Sequence, residues 1–167
     1  MRKLNFLKTI VDYLWIISLI TYPLLLLFSV ISIFNNEVFD VPIKLYGNEI
    51  ILDSVIHKIG FLILVFGFSL IVLAIYNFRK LLSLLQEKKI FETETSSLFY
   101  KIGQLIIYFS FIDLTVETIL NFSKNNVIIN IGFGTFLSFL ALGLFFIVLS
   151  EVFKIGQKIK EQNELTI

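Results

Sequence analysis

The sequence predicts an all-α membrane protein: four transmembrane helices, with the N- and C-termini both in the cytoplasm. Three observations predict it. The 167 residues are 57% hydrophobic and 16% charged, whereas soluble domains average about 45 to 50% and about 25%. Four runs are long enough to cross lipid, at about 14–34, 60–76, 102–122 and 127–149. Lys and Arg divide eleven to three between the two sides that four crossings define, and an odd number of crossings would split the basic clusters. The runs are continuously apolar rather than alternating, so they are helices and not barrel strands. The length leaves no room for a separate soluble domain, and 1–167 reads as one transmembrane domain.

The first run follows Arg2, Lys3 and Lys8, as a secretory signal would. A cleavable signal has an apolar core of about 7 to 15 residues and then a small-residue cleavage site. This run is far longer and leads into Asn35, Asn36 and Glu37, so an uncleaved helix is expected. Pro23, near its middle, predicts a kink over 19–23, with a structural role.

The outer loop, 35–58, carries Glu37, Asp40, Glu49 and Asp53 against Lys44 and Lys58. Residues 41–51 alternate loosely around Tyr46, Gly47, Asn48 and Glu49, which predicts a small β-hairpin over the helix ends. A capping role is the simpler expectation, ligand binding the alternative. His57, at the outer entrance to the second span, could reach Glu117 and sense external pH; an ordinary interfacial residue is the simpler expectation.

In the second span Gly60, Gly67 and Ala74 recur every seven residues as a narrow packing seam. Beyond it, Leu81, Leu82, Leu84 and Leu85 lie between Arg79, Lys80 and Lys88, Lys89, which predicts an amphipathic extension with its basic groups near anionic lipid. Thr93 and Ser96 are candidate caps for the next helix. The segment reads either as a membrane-surface connection or as a docking surface for a cytoplasmic partner.

The third span holds Asp113 and Glu117, four apart on one face, with Gly103, Ser110 and Asn121 within about 80° of the same stripe. A carboxylate facing lipid near the bilayer centre costs about 2.5 to 3.5 kcal/mol, so the seam should point inward. No Lys or Arg falls inside the spans as bounded above, and an intramembrane ion pair is not expected. The pair reads as a proton or cation relay, or as carboxyls that bond to neighbouring helices.

In the fourth span Gly134, Ser138 and Ala141 form a small-residue stripe, expected to pack on another helix. Glu151 stands at the inner boundary, where Arg79, Lys80 or Lys101 could meet it. The charged tail passes Asn163 and ends in Leu165, Thr166 and Ile167, an apolar ending that a solvated tail does not need.

With no Cys and one His, disulfides, thiolate metal sites, cysteine nucleophiles and multi-histidine metal sites are excluded. A net charge of +1 supplies no field for direct nucleic-acid binding. No phosphate loop, nucleophile elbow or metalloprotease motif is present. The expectation is a non-enzymatic protein with no metal and no cofactor.

Two stretches carry a resemblance. Lys89-Ile90-Phe91-Glu92-Thr93-Glu94 leading to Lys101-Ile102-Gly103, and Glu151-Val152-Phe153-Lys154-Ile155-Gly156 continuing from Glu161 to Ile167, are similar to a family of small bacterial membrane proteins catalogued as domain of unknown function 2975. The chain departs from that pattern at Glu92 and Thr95, where the family often has Thr and Asn. The resemblance implies a multi-pass protein of the bacterial plasma membrane without established activity, and it carries over no catalytic residues. Many members are encoded beside a small helix-turn-helix regulator of the Cro/C1 type. That implies a membrane component that holds or signals to a cytoplasmic regulator through 78–101 and 151–167. The alternatives are a small proton or cation conductor, which would have to oligomerise to line a path with Asp113 and Glu117, and an immunity protein whose outer loop intercepts a toxic peptide.

Overall fold

The computed structural model describes residues 2–34, 43–45, 48–50, 54–122 and 133–164, with the backbone alone for 43–45, 48–50, 121–122 and 133–134. Four helices occupy most of them: α1 Arg2–Phe34, α2 Val55–Gln86, α3 Thr93–Phe122 and α4 Phe133–Glu164. All four are long and apolar enough to cross a membrane. At 30 to 33 residues each and about 1.5 Å per residue, they exceed a hydrocarbon core about 30 Å thick. α1 runs through Pro23 as one unbroken helix. Between α1 and α2, β1 (Ile43–Leu45) pairs antiparallel with β2 (Asn48–Ile50), with Ile43 opposite Ile50 and Lys44 opposite Glu49. Positions 46–47 of the expected turn lie outside the described residues, as do 35–42, 51–53 and the start of the fourth span at 127–132.

The helix ends follow local chemistry. Ser54 is extended and caps α2, its Oγ accepting from the His57 N–H at 3.2 Å. At the other end the Lys89 N–H donates to the Leu84 carbonyl at 3.0 Å and the Lys88 N–H to the Leu85 carbonyl at 3.2 Å. These are the two bonds of a Schellman stop. Lys88 holds its left-handed position with φ 63°.

The helices pack as a row, α1 on α2, α2 on α3 and α3 on α4. Both termini and the α2–α3 connection share one end of the row, since Lys8 meets Gln86, Lys80 meets Glu94 and Gln157 meets Thr93. At that end α2, α3 and α4 enclose a core of Leu81, Leu84, Leu98, Phe99 and Ile102. Phe99 stacks on Phe153 at 4.7 Å, and Phe78 meets Phe146 edge-on at 5.9 Å. α1 rests on α2 through Tyr22, Leu26 and Phe28 against Phe61 and Val65. The hydroxyls of Ser18, Ser29 and Ser32 on α1 donate to carbonyls three residues back, so burial leaves no donor unmet in lipid.

Small residues set the closest approaches. Gly60 and Gly67 face α3: an added Cβ would meet Leu120 Cδ2 at 3.1 Å and Ile112 Cγ2 at 2.8 Å. Ala74 is buried on the same helix. The contact of α3 with α4 differs from the expected stripe. It forms at Gly103 and Gly143, where an added Cβ would lie 2.7 Å and 2.9 Å from the partner glycine's carbonyl oxygen. Ser138 and Ala141 are exposed, and Gly134 is described by its backbone alone. Small residues permit close approach without choosing the neighbour. Here Gly143 and Ser150, seven apart, turn to α3 and leave the predicted stripe on another face.

Candidate functional site

The end that carries the termini is built by short polar links between segments far apart in sequence. After the Schellman stop, Thr95 Oγ1 donates to the Lys89 carbonyl at 2.6 Å, tying the start of α3 back to the turn. Ser150 Oγ on α4 donates to the Ser96 carbonyl at 2.8 Å, and Gln157 Nε2 donates to Thr93 Oγ1 at 2.9 Å. Phe91 then packs against Gly156, which has no side chain to keep it off, with its ring 6.1 Å from that of Phe153. The α2–α3 connection and the α4 tail are therefore one surface.

That surface holds a shallow groove of about 390 Å³ lined by Phe91, Glu92, Glu94, Gln157, Glu161 and Glu164, with Lys160 on its wall. Its rim is mostly acidic. Beside it an apolar recess runs along Phe91, Gly156 and Ile159 to Asn163. The Glu87 carboxylate, 2.7 Å away, holds the Lys89 amine above the usual lysine range through a hydrogen bond and its charge.

α1 joins the same end from the far side. Arg79 pairs with Asp12, Lys8 Nζ donates to Gln86 Oε1 at 3.0 Å, and Gln86 Nε2 donates to Asn5 Oδ1 at 2.9 Å. Lys80 pairs with Glu94 at 2.6 Å. These partners correct the expectation for Glu151, which among the described residues meets none of Arg79, Lys80 and Lys101 and lies 3.7 Å from Lys154 on its own helix. The reason is rotational: α4 turns Ser150 and Phe153 toward α3, which leaves Glu151 outside. Lys88 is exposed and Asn163 lies on the recess wall, while Leu165 and Ile167 lie outside the described residues.

A second group of polar residues sits inside the row, toward the opposite end. Ser110, Asp113 and Glu117 on α3 are 0%, 4% and 5% exposed, so the seam faces protein. Ser110 Oγ donates to the Ile107 carbonyl at 2.7 Å, and Glu117 Oε2 is buried with no hydrogen bond among the described residues. His57 and Lys58 are buried in the first turn of α2. They share this end with the carboxyls, because Gly60 packs on Val116 and Leu120.

The burial of Lys58 differs from the sequence expectation. Hydropathy starts the second span at Gly60, but the Ser54 cap starts the helix at Val55 and carries Lys58 inside it. A lysine therefore joins the buried His57 and the two carboxyls at this end, where the sequence placed Lys58 in the outer loop. Sequence reasoning also missed the Gly103–Gly143 crossing and the Phe91–Gly156 contact. The signal for the latter was present, since the two stretches that carried the family resemblance are the two that meet.

Neither a curated protein nor a solved structure matches the chain. A family model described as a protein of unknown function, DUF2975, matches residues 5–167, nearly its whole length and both of the segments that form the grooved end. The chain belongs to the DUF2975 family.

Proposed function

We propose that this chain is a non-enzymatic, regulatory protein of the bacterial plasma membrane, whose termini-bearing end faces the cytoplasm and docks a soluble partner. The orientation rests on the eleven-to-three division of Lys and Arg, with the basic side at that end. The observation that carries the docking role is the Phe91–Gly156 contact, which makes one grooved surface of the two patterned segments outside the lipid. Glu92, Glu94, Glu161 and Glu164 give its rim an acidic cast that suits a basic partner. Proteins that bind nucleic acid carry such a basic face, so a helix-turn-helix regulator of the Cro/C1 type, held away from DNA by this rim, is the partner class of choice. The test is a crosslinking pull-down from cells with the full chain and with residues 157–167 deleted, after membrane insertion of both is confirmed. Loss of a soluble regulator on deletion supports the reading, and unchanged recovery contradicts it.

A second reading, a proton or cation conductor, is favoured by the burial of Asp113 and Glu117, whose Oε2 has no hydrogen bond among the described residues, since buried carboxyls in a membrane mark ion paths. Purified protein in liposomes, compared with Asp113→Asn, separates the two. A flux in the parent that the variant loses supports conduction, and no flux in either leaves the docking role alone.

A further inference from the structure

We propose that the grooved end around Phe91 takes its partner as a basic amphipathic α-helix laid along α4. The apolar face of that helix fills the recess and its cations lie over the acidic groove; the inference rests on the docking role given above. Recess and groove follow two adjacent stripes of α4. Gly156, Ile159 and Asn163 line the first, and Gln157, Glu161 and Glu164 the second. Steps of three and four keep each set on one helical face, and the offset between the sets puts the stripes side by side. Phe91 borders both, and its ring, 43% exposed, joins Ile159, 54% exposed, as apolar surface next to charge.

The elements around the site decide the form of the occupant. An extended segment gains affinity by adding to a sheet edge, where its backbone groups find partners. Among the described residues this end has no strand, because β1 and β2 lie between α1 and α2 at the other end. An occupant that buries its backbone against Phe91 and Ile159 must therefore satisfy its own amide groups, and an α-helix does so. The two stripes run from 156 to 164, about 12 Å or just over two turns. A helix of about two to three turns covers that length, with apolar side chains at i, i+3 or i+4 and i+7 toward the recess.

Charge sets the chemistry of its flank. Of the carboxylates in the groove, Glu94 is paired with Lys80 at 2.6 Å and Glu164 with Lys160 at 3.7 Å. Glu92 and Glu161 are exposed and, among the described residues, in no ion pair; Glu161 accepts from Gln157 Nε2 at 2.8 Å. They put two anionic points on one side of the apolar stripe, which suits Lys or Arg on one flank of the helix and disfavours Asp or Glu there. Lipid meets neither demand. Its headgroups carry no net positive charge, and Ile159 lies ten residues past Leu149, the end of the apolar run, about 15 Å further along the helix.

The spacing of crosslinks reads the form of the occupant. Light-activated residues are placed singly at Ile159 and Asn163, both exposed, in the full chain in cells, and the partner residues they capture are mapped by peptide mass spectrometry. The two positions are four residues apart on α4, about 6 Å along its axis. The expected adducts fall on one segment of a soluble protein, about three or four residues apart, with Lys or Arg on its flank. A strand covering the same distance would space them by about two residues. Glu92→Lys with Glu161→Lys, in the chain that carries the crosslinker at Asn163, should cut the adduct several-fold while membrane insertion persists. Captured residues at the strand spacing or in separate segments, a flank of Asp or Glu, or a yield unchanged by the charge reversal overturns the proposal. So does an adduct with lipid or with a second copy of this chain, or no adduct from either position. Each of these results leaves the docking role standing if a crosslinker at Glu161 still captures a soluble protein, whereas no adduct from any of the three positions ends both.

Discussion

Phe91 occupies the space that a side chain at position 156 would need: a Cβ added to Gly156 would lie 2.5 Å from Phe91 Cε1 and 2.7 Å from Cδ1. Phe91 is itself 43% exposed, so the ring covers the glycine and still forms part of the surface. Gly156→Val should therefore displace the ring and separate the α2–α3 connection from the tail while leaving the spans intact. The expected outcome is normal membrane insertion, faster amide exchange over 87–96 and reduced recovery of the proposed soluble partner. Exchange-mass spectrometry with the pull-down checks both.

At the Gly103–Gly143 crossing an added Cβ would meet the partner glycine's carbonyl oxygen as well as the Ile147 or Ile107 side chain, and the backbone part of that contact cannot yield. Gly103→Ala and Gly143→Ala should each destabilise the row by about 1 to 3 kcal/mol, the usual range for overpacking. Gly60→Ala should cost less, because its nearest neighbour at 3.1 Å is the end of the Leu120 side chain. Denaturation in detergent micelles, followed by helical circular dichroism, ranks the three.

Lys88 holds a left-handed backbone that non-glycine residues adopt at a cost of about 1 to 2 kcal/mol. Lys88→Gly keeps both bonds of the Schellman stop and removes that cost, so the variant should be more stable than the parent by about 1 kcal/mol. A lower midpoint in the same denaturation experiment would mean that the Lys88 side chain has a role of its own.

Lys58 is 5% exposed, whereas the side chains of Lys154 and Lys160 are each 55% exposed. An amine-reactive reagent applied to the detergent-solubilised protein should modify Lys154 and Lys160 well before Lys58. Peptide mapping by mass spectrometry gives the order. Early modification of Lys58 would place α2's first turn in water.

The spans were legible because lipid imposes a length and a composition that no other role requires. The inward face of Asp113 and Glu117 was legible for the same reason, since a carboxylate in lipid is too costly to leave on the outside. Lys58 was not, because a hydropathy run ends at the first charge, whereas the helix starts at whatever residue can cap it, here Ser54. Nor was the partner of Gly103. A small residue shows that a helix approaches closely somewhere, but the neighbour is set by how each helix rotates, which is decided by groups as distant as Ser150 and Ser96. Glu151 failed in the same way, since proximity along the membrane normal does not place two residues on facing sides.

We propose that the joined surface around Phe91 and Gly156 docks a soluble cytoplasmic partner. The most direct measurement is photocrosslinking in cells from a light-activated residue placed at Glu161, on the groove, in the parent and in a Phe91→Ala background. The expected result is an adduct with a basic soluble protein that Phe91→Ala abolishes while membrane insertion persists. The absence of any such adduct from Glu161, or one that survives Phe91→Ala undiminished, would contradict it.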